Sequence, residues 1–123
     1  MPLISQLFKG DPVFEACLTK DSAHIVQGAK GPHIAKIHFA LMTTDKFYPA
    51  QSEIDDSIYG PSTATGVLAY KRKRRIINFG YEKQADNIVG KMTIARMDAD
   101  MFRLEIVLRG QQIIPIPPRP VKA

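Results

Sequence analysis

The chain has 123 residues, 45% of them hydrophobic and 24% charged, which fits one folded domain with its own core and excludes bulk disorder. A single cysteine, Cys17, excludes an intrachain disulfide, and no apolar run approaches the ~20 residues that span a bilayer as a helix. The net charge of +5 raises the question of an anionic partner.

The N-terminal stretch Met1–Gly10 has no basic leader and only a short, broken apolar run, so it does not read as a secretory signal. The expectation is a cytoplasmic protein, or one exported to the periplasm or cell envelope by another route. Gly10-Asp11-Pro12 is a turn, and residues 13–18 are compatible with a short helix or a strand. Cys17 lies in that apolar segment without a nearby base, which suits a small buried hydrophobe better than a nucleophile.

The first clear helix follows Gly31-Pro32. Glycine suits the cap, and proline the first helical position, where its missing N–H goes unused. Ile34, Ile37 and Leu41 then mark one buried face to about Thr44. Residues 45–58 are loop-like, with a possible helical turn over 52–56. A second helix runs from Pro61 to about Arg75, with Thr63, Val67 and Tyr70 inward. Its last turn is the run Lys71-Arg72-Lys73-Arg74-Arg75, where cations meet the negative end of the helix dipole. The same run could be a nucleic-acid footprint, but its position gives it a structural reason to exist, and nucleic acid is not the expected partner. A connector over 76–88 leads to a third, shorter helix from Lys91 to Asp100 or Met101. Beyond it, 102–109 alternates apolar and charged residues like a half-buried strand, and the Pro-rich tail at 113–120 should be extended.

One octapeptide occurs twice. Asp56-Ser57-Ile58-Tyr59-Gly60-Pro61-Ser62-Thr63 returns thirty residues later as Asp86-Asn87-Ile88-Val89-Gly90-Lys91-Met92-Thr93. In each copy the acid and its neighbour make a polar turn, and the apolar residue before glycine can staple onto the first helical turn. The glycine caps the helix, and the threonine reaches back with its hydroxyl. Two copies argue for internal duplication.

These residues resemble the peptidoglycan-binding-domain-like family, a compact three-helix fold. Its pattern is two Asp-Gly-x-[Phe/Val]-Gly-x-x-Thr loops preceded by a Gly-x-x-Gly helix start. Gly28, Gly31, Ile34, Ile37 and Leu41 match the first part. Asp56, Tyr59, Gly60 and Thr63, then Asp86, Val89, Gly90 and Thr93, match the loops. Val67, Tyr70, Ile76 and Met97 fall on further apolar positions. The resemblance covers about residues 23–101. It implies a mainly α, three-helix bundle flanked by an N-terminal extension over 1–22 packed on the core and a C-terminal extension over 102–123. The family's glutamines are replaced by His38 and Lys71, its loop glycines by Ser57 and Asn87, and residues 78–84 are an insertion.

No catalytic set emerges. His24, His33 and His38 lack metal-ligand spacing, so neither metal nor cofactor is expected, and the acids Glu53, Asp55 and Asp56 suit solvated or capping roles. A glycan or stem peptide wants aromatics beside amides. Phe47, Tyr48 and Gln51 in one connector, with Asn78, Tyr81, Gln84 and Asn87 in the other, supply those types, although Phe47 and Tyr48 could equally cover the core. The expectation is a non-catalytic module binding peptidoglycan. The alternative is a protein-interaction adaptor, such as an accessory of a contact-dependent (type VI-like) secretion system or its effectors.

Overall fold

The structure, a computed structural model, describes residues 3–20, 23–76 and 86–113, the last five by backbone alone. These residues form a mainly helical fold: α1 (Pro12–Thr19), α2 (Pro32–Asp45), α3 (Gln51–Asp56), α4 (Pro61–Arg74) and α5 (Lys91–Ile113). No helix among them is long and apolar enough to cross a membrane.

Local chemistry sets the helix boundaries. Asp11 caps α1, its carboxylate accepting from Val13 N at 3.0 Å, with Pro12 in the first turn. Segment 13–18 is thus helical, and its i, i+3 pair Phe14 and Cys17 is buried. Gly31 sits at φ 137°, a conformation that L side chains rarely adopt, and it aims the chain into Pro32 and α2. The helices α2, α3 and α4 each stop on a left-handed residue: Lys46, Ser57 and Arg75, respectively.

The faces inferred from periodicity are buried. Ile34, Ile37 and Leu41 of α2 and Thr63, Val67 and Tyr70 of α4 are all solvent-inaccessible, and they pack with Tyr59, Val89, Ile94 and Met97 into one core. Each large apolar side chain in this core contributes about 1.5–3 kcal/mol by leaving water.

Segment 25–31 joins the two repeat copies through main-chain bonds. Ile25 and Val89 exchange N–H···O bonds at 2.9 Å in both directions. Gly28 N donates to Tyr59 O at 2.8 Å, Tyr59 N to Ala29 O at 2.9 Å, and Gly31 N to Ser57 O at 3.1 Å. Tyr59 and Val89 occupy equivalent positions in the repeat, so each copy is pinned by the same backbone atoms to one shared hub. The hydroxyl of Tyr59 also donates to Asn87 O in the second loop.

Two expectations are corrected at the C-terminal end. The third long helix does not stop near Met101, and 102–109 is not a strand: α5 continues unbroken to Ile113, which is itself helical. The alternation of Phe102-Arg103-Leu104-Glu105 also satisfies a helical repeat. Met97, Met101 and Leu104 point to the core, while Asp98 and Glu105, two turns apart, share a face. That face holds the N-terminal segment. Asp98 accepts from Ile4 N at 3.0 and 3.1 Å and from Ser5 N at 2.8 Å, and Glu105 from Gln6 N at 2.8 Å and Leu7 N at 3.2 Å. Phe8 is buried edge-on against Phe14, the ring centroids 4.8 Å apart. Residues 114–123, with most of the Pro-rich tail, lie outside the described residues.

Candidate functional site

The polar residues of the first repeat copy converge on Glu53 of α3. Its carboxylate, only 9% exposed, accepts from Gly60 N at 3.1 Å, Ser62 N at 3.0 Å, Thr63 N at 2.9 Å and Thr63 Oγ1 at 2.7 Å. It therefore caps α4 from outside the helix, where Gly60 offers no side chain. Burial alone would raise the Glu53 pKa, but the bonds from Thr63 and Ser62 together outweigh it and hold the carboxyl down at about 2. Asp56, at the repeat's acid position, is exposed, and its side chain makes no bond among the described residues. The working acid of this loop is Glu53.

Thr63 is flanked by His38 as well, with Nε2 2.8 Å from its hydroxyl. The arrangement resembles a nucleophile set but has the wrong proton order. Because ionised Glu53 can only accept, the Thr63 hydroxyl donates to it, so His38 must donate its Nε2–H to Thr63. The imidazole then has no lone pair facing the hydroxyl and cannot act as its base. Burial pushes the His38 pKa down, more than the Ile58 carbonyl and Glu53 pull it up, which keeps the ring neutral. Thr63 and His38 are both sealed from solvent. The set is structural.

The second copy is held by a cation. Lys71 of α4, 5% exposed, donates to Asp86 Oδ1 at 2.6 Å and to Ile88 O at 2.9 Å, and Asp86 Oδ1 also accepts from Ile88 N at 3.1 Å. The two residues that replace the resembled family's glutamines, His38 and Lys71, thus each brace one repeat copy. Gly90 precedes α5 as Gly60 precedes α4, with Ile94 N and Ala64 N bonded to their respective carbonyls at 2.9 Å. Thr93 is buried like Thr63.

A third polar cluster ties three helices together. Arg74 bonds Asp45 of α2 at 2.8 and 3.1 Å and Asp100 of α5 at 2.8 Å, and its guanidinium lies 3.6 Å over the Tyr70 ring. The Tyr70 hydroxyl donates to Asp100 at 2.6 Å. Arg74 is therefore an interior residue of the basic run.

A concave surface lies beside the hub. A shallow groove of about 530 Å³ runs between α1 and residues 23–33, with Val13, Ala16, His24, Val26, Gln27 and His33 on its walls. Its volume is in the range of small-ligand sites. Val13 and Val26 are exposed on its rim, and the His33 ring stands edge-on to Phe14 at 6.3 Å. His24 covers Gly90, its Nε2 3.1 Å from where a Cβ would stand. Apolar walls with two imidazoles and an amide can take an extended chain or sugar ring edge. Among the described residues, no group of His, Cys, Asp and Glu is arranged to hold a metal.

The connector residues expected to bind have unlike surroundings. Phe47 packs against the core, its ring 2.6 Å from where a Cβ on Gly66 would be. Tyr48 is 67% exposed, and Gln51 donates to Asp55 of its own helix at 2.8 Å. Asn87 is half-buried and gives its carbonyl to Tyr59. Asn78, Tyr81 and Gln84 lie outside the described residues. Sequence reasoning missed the groove because its wall, α1, carries no motif. The Val-x-x-Ala spacing of Val13 and Ala16 was the available signal. Cys17 lies behind that wall, its thiol 3.3 Å from Val89 O and pushed up to about 11 by burial.

No protein-family model, curated protein or solved structure matches this chain.

Proposed function

We propose that this protein is a non-catalytic binding module built on a peptidoglycan-binding-like helical frame, and that its ligand is cell-wall peptidoglycan. One observation carries the reading. Thr63 of the first repeat copy and Asp86 of the second are engaged in holding helices and loops, while an open groove beside the shared hub is left to solvent. Such a scaffold presents a surface and performs no chemistry. The order and spacing of the matched positions over 23–101 supply the ligand class.

Retention on purified sacculi tests this reading. The protein is expected to be enriched over a control of equal basic charge, and Val26→Glu, on the groove rim, to reduce that enrichment. Equal retention of protein and control would sink it.

A second reading, a protein-interaction adaptor, is favoured by Ile106, Val107 and Leu108, which are each about half exposed on the distal part of α5. It predicts a stable partner on co-purification from the native cell. A free monomer there would exclude it.

A further inference from the structure

The basic run splits into two populations. Lys71 and Arg74 are interior, neutralised by Asp86, Asp45 and Asp100. Arg72 and Arg75 are exposed, as is Lys46 at the adjoining end of α2. Lys73 is 66% exposed and only 3.8 Å from Asp45 at its nearest. Asp45 and Asp100 are already occupied by Arg74, which bonds both, and Asp100 takes Arg96 as well at 3.2 Å. Among the described residues, Lys46, Arg72 and Arg75 meet no carboxylate. The folding explanation of the run therefore covers two of its five charges and leaves an excess of cations where α2 and α4 end side by side.

We infer that this end of the molecule, Lys46, Arg72, Lys73 and Arg75, is an electrostatic contact for a carboxylate-bearing wall polymer, through the free carboxylates of its stem peptides. The inference rests on the wall-binding reading. Lys46 and Arg75 occupy left-handed C-cap positions, which helices usually give to glycine, and both present a charge there instead. An exposed guanidinium matches a carboxylate with its planar fork, and an exposed ammonium on its flexible stem meets one as a point charge. A nucleic-acid footprint would follow a phosphate backbone along a stripe of cations. Here the cations gather within one turn of α4 and one residue of α2.

The test compares two variants of equal net charge in the full chain. Lys46→Gln/Arg72→Gln/Arg75→Gln removes the cluster. Lys9→Gln/Lys20→Gln/Arg103→Gln removes exposed charges on other faces. Each is measured against purified sacculi, sacculi whose free carboxyls have been amidated, and duplex DNA. Thermal unfolding of both variants confirms that the frame is intact. The expected result is retention of the wild type on native sacculi, weakened roughly tenfold by the cluster variant and little by the control. Amidated sacculi should lower wild-type retention to the level of the cluster variant. Equal weakening by both variants, or undiminished retention on amidated sacculi, overturns the inference while the wall-binding reading stands. DNA binding lost selectively with the cluster and exceeding sacculus binding overturns it in favour of a nucleic-acid face. Absence of wild-type retention on native sacculi ends both.

Discussion

The two copies of the repeated loop begin from nearly the same eight-residue frame and are secured by opposite charges. The first is closed by an anion, Glu53, which gathers three backbone N–H groups and one hydroxyl at the start of α4. The second is gripped by a cation, Lys71, which holds the loop acid and a carbonyl ahead of α5. The shared frame supplies the backbone turn. The charged group that fixes each copy comes from outside the eight-residue frame, Glu53 from α3 and Lys71 from α4. A repeat therefore specifies geometry more strictly than it specifies the chemistry that stabilises it.

Substitutions at the two copies can break this contrast. Glu53→Ala leaves buried donors without an acceptor and should cost about 2–4 kcal/mol in urea unfolding. A loss below that of Lys71→Met would reverse the ranking. The same carboxylate sets an acid window. Its folded pKa, about 2, lies below the unfolded value near 4.5, so its stabilisation is complete above the unfolded value. As pH falls through that range toward 2, up to roughly 3 kcal/mol is lost. In Glu53→Gln this part of the pH dependence should be missing from acid titrations of stability.

Glycine substitution probes the copies at matched positions. A Cβ on Gly60 would lie 2.5 Å from Glu53 Cδ, whereas on Gly90 its closest neighbour is His24 Nε2 at 3.1 Å. Gly60→Ala should lower stability by about 1–3 kcal/mol and Gly90→Ala by clearly less, read from paired melting curves. Lys71→Met should cost about 1 kcal/mol, because Asp86, its side chain 40% exposed, can turn to water. The smallest effect expected is at Cys17. With its thiol held near 11 it should resist iodoacetamide at pH 8 in the folded protein and react on unfolding, as mass spectrometry would show.

The legible parts of the fold were those written in local pattern: the Gly-Pro helix starts, the inward faces of α2 and α4, and the likeness of the two loops, whose Tyr59 and Val89 make matching main-chain bonds. The length of α5 was not legible. Four alternating residues, Phe102 to Glu105, satisfy period 2 and period 3.6 alike, and the choice between them is made by Asp98 and Glu105 gripping a segment nearly a hundred positions away. Glu53 could be named as a capping candidate, but its client donors lie seven to ten residues ahead, too far for a capping-box rule. The basic run offered two hints of an inner side, the stem of Arg74 on the inward face and Lys71 at a glutamine of the resembled pattern. Only the three-dimensional partners separate Lys71 and Arg74 from their exposed neighbours. The groove was hidden because one of its walls, α1, carries no motif and the glycines of the other read only as a helix start.

The grip of Asp98 and Glu105 on residues 4–7 also has a kinetic meaning. These bonds join positions 93 to 99 apart, so they demand that almost the whole chain be present and largely collapsed before they form. During synthesis residues 4–7 must wait, without these partners, until α5 leaves the ribosome. Closing this clasp should therefore be a late step in folding, and its opening an early step in unfolding.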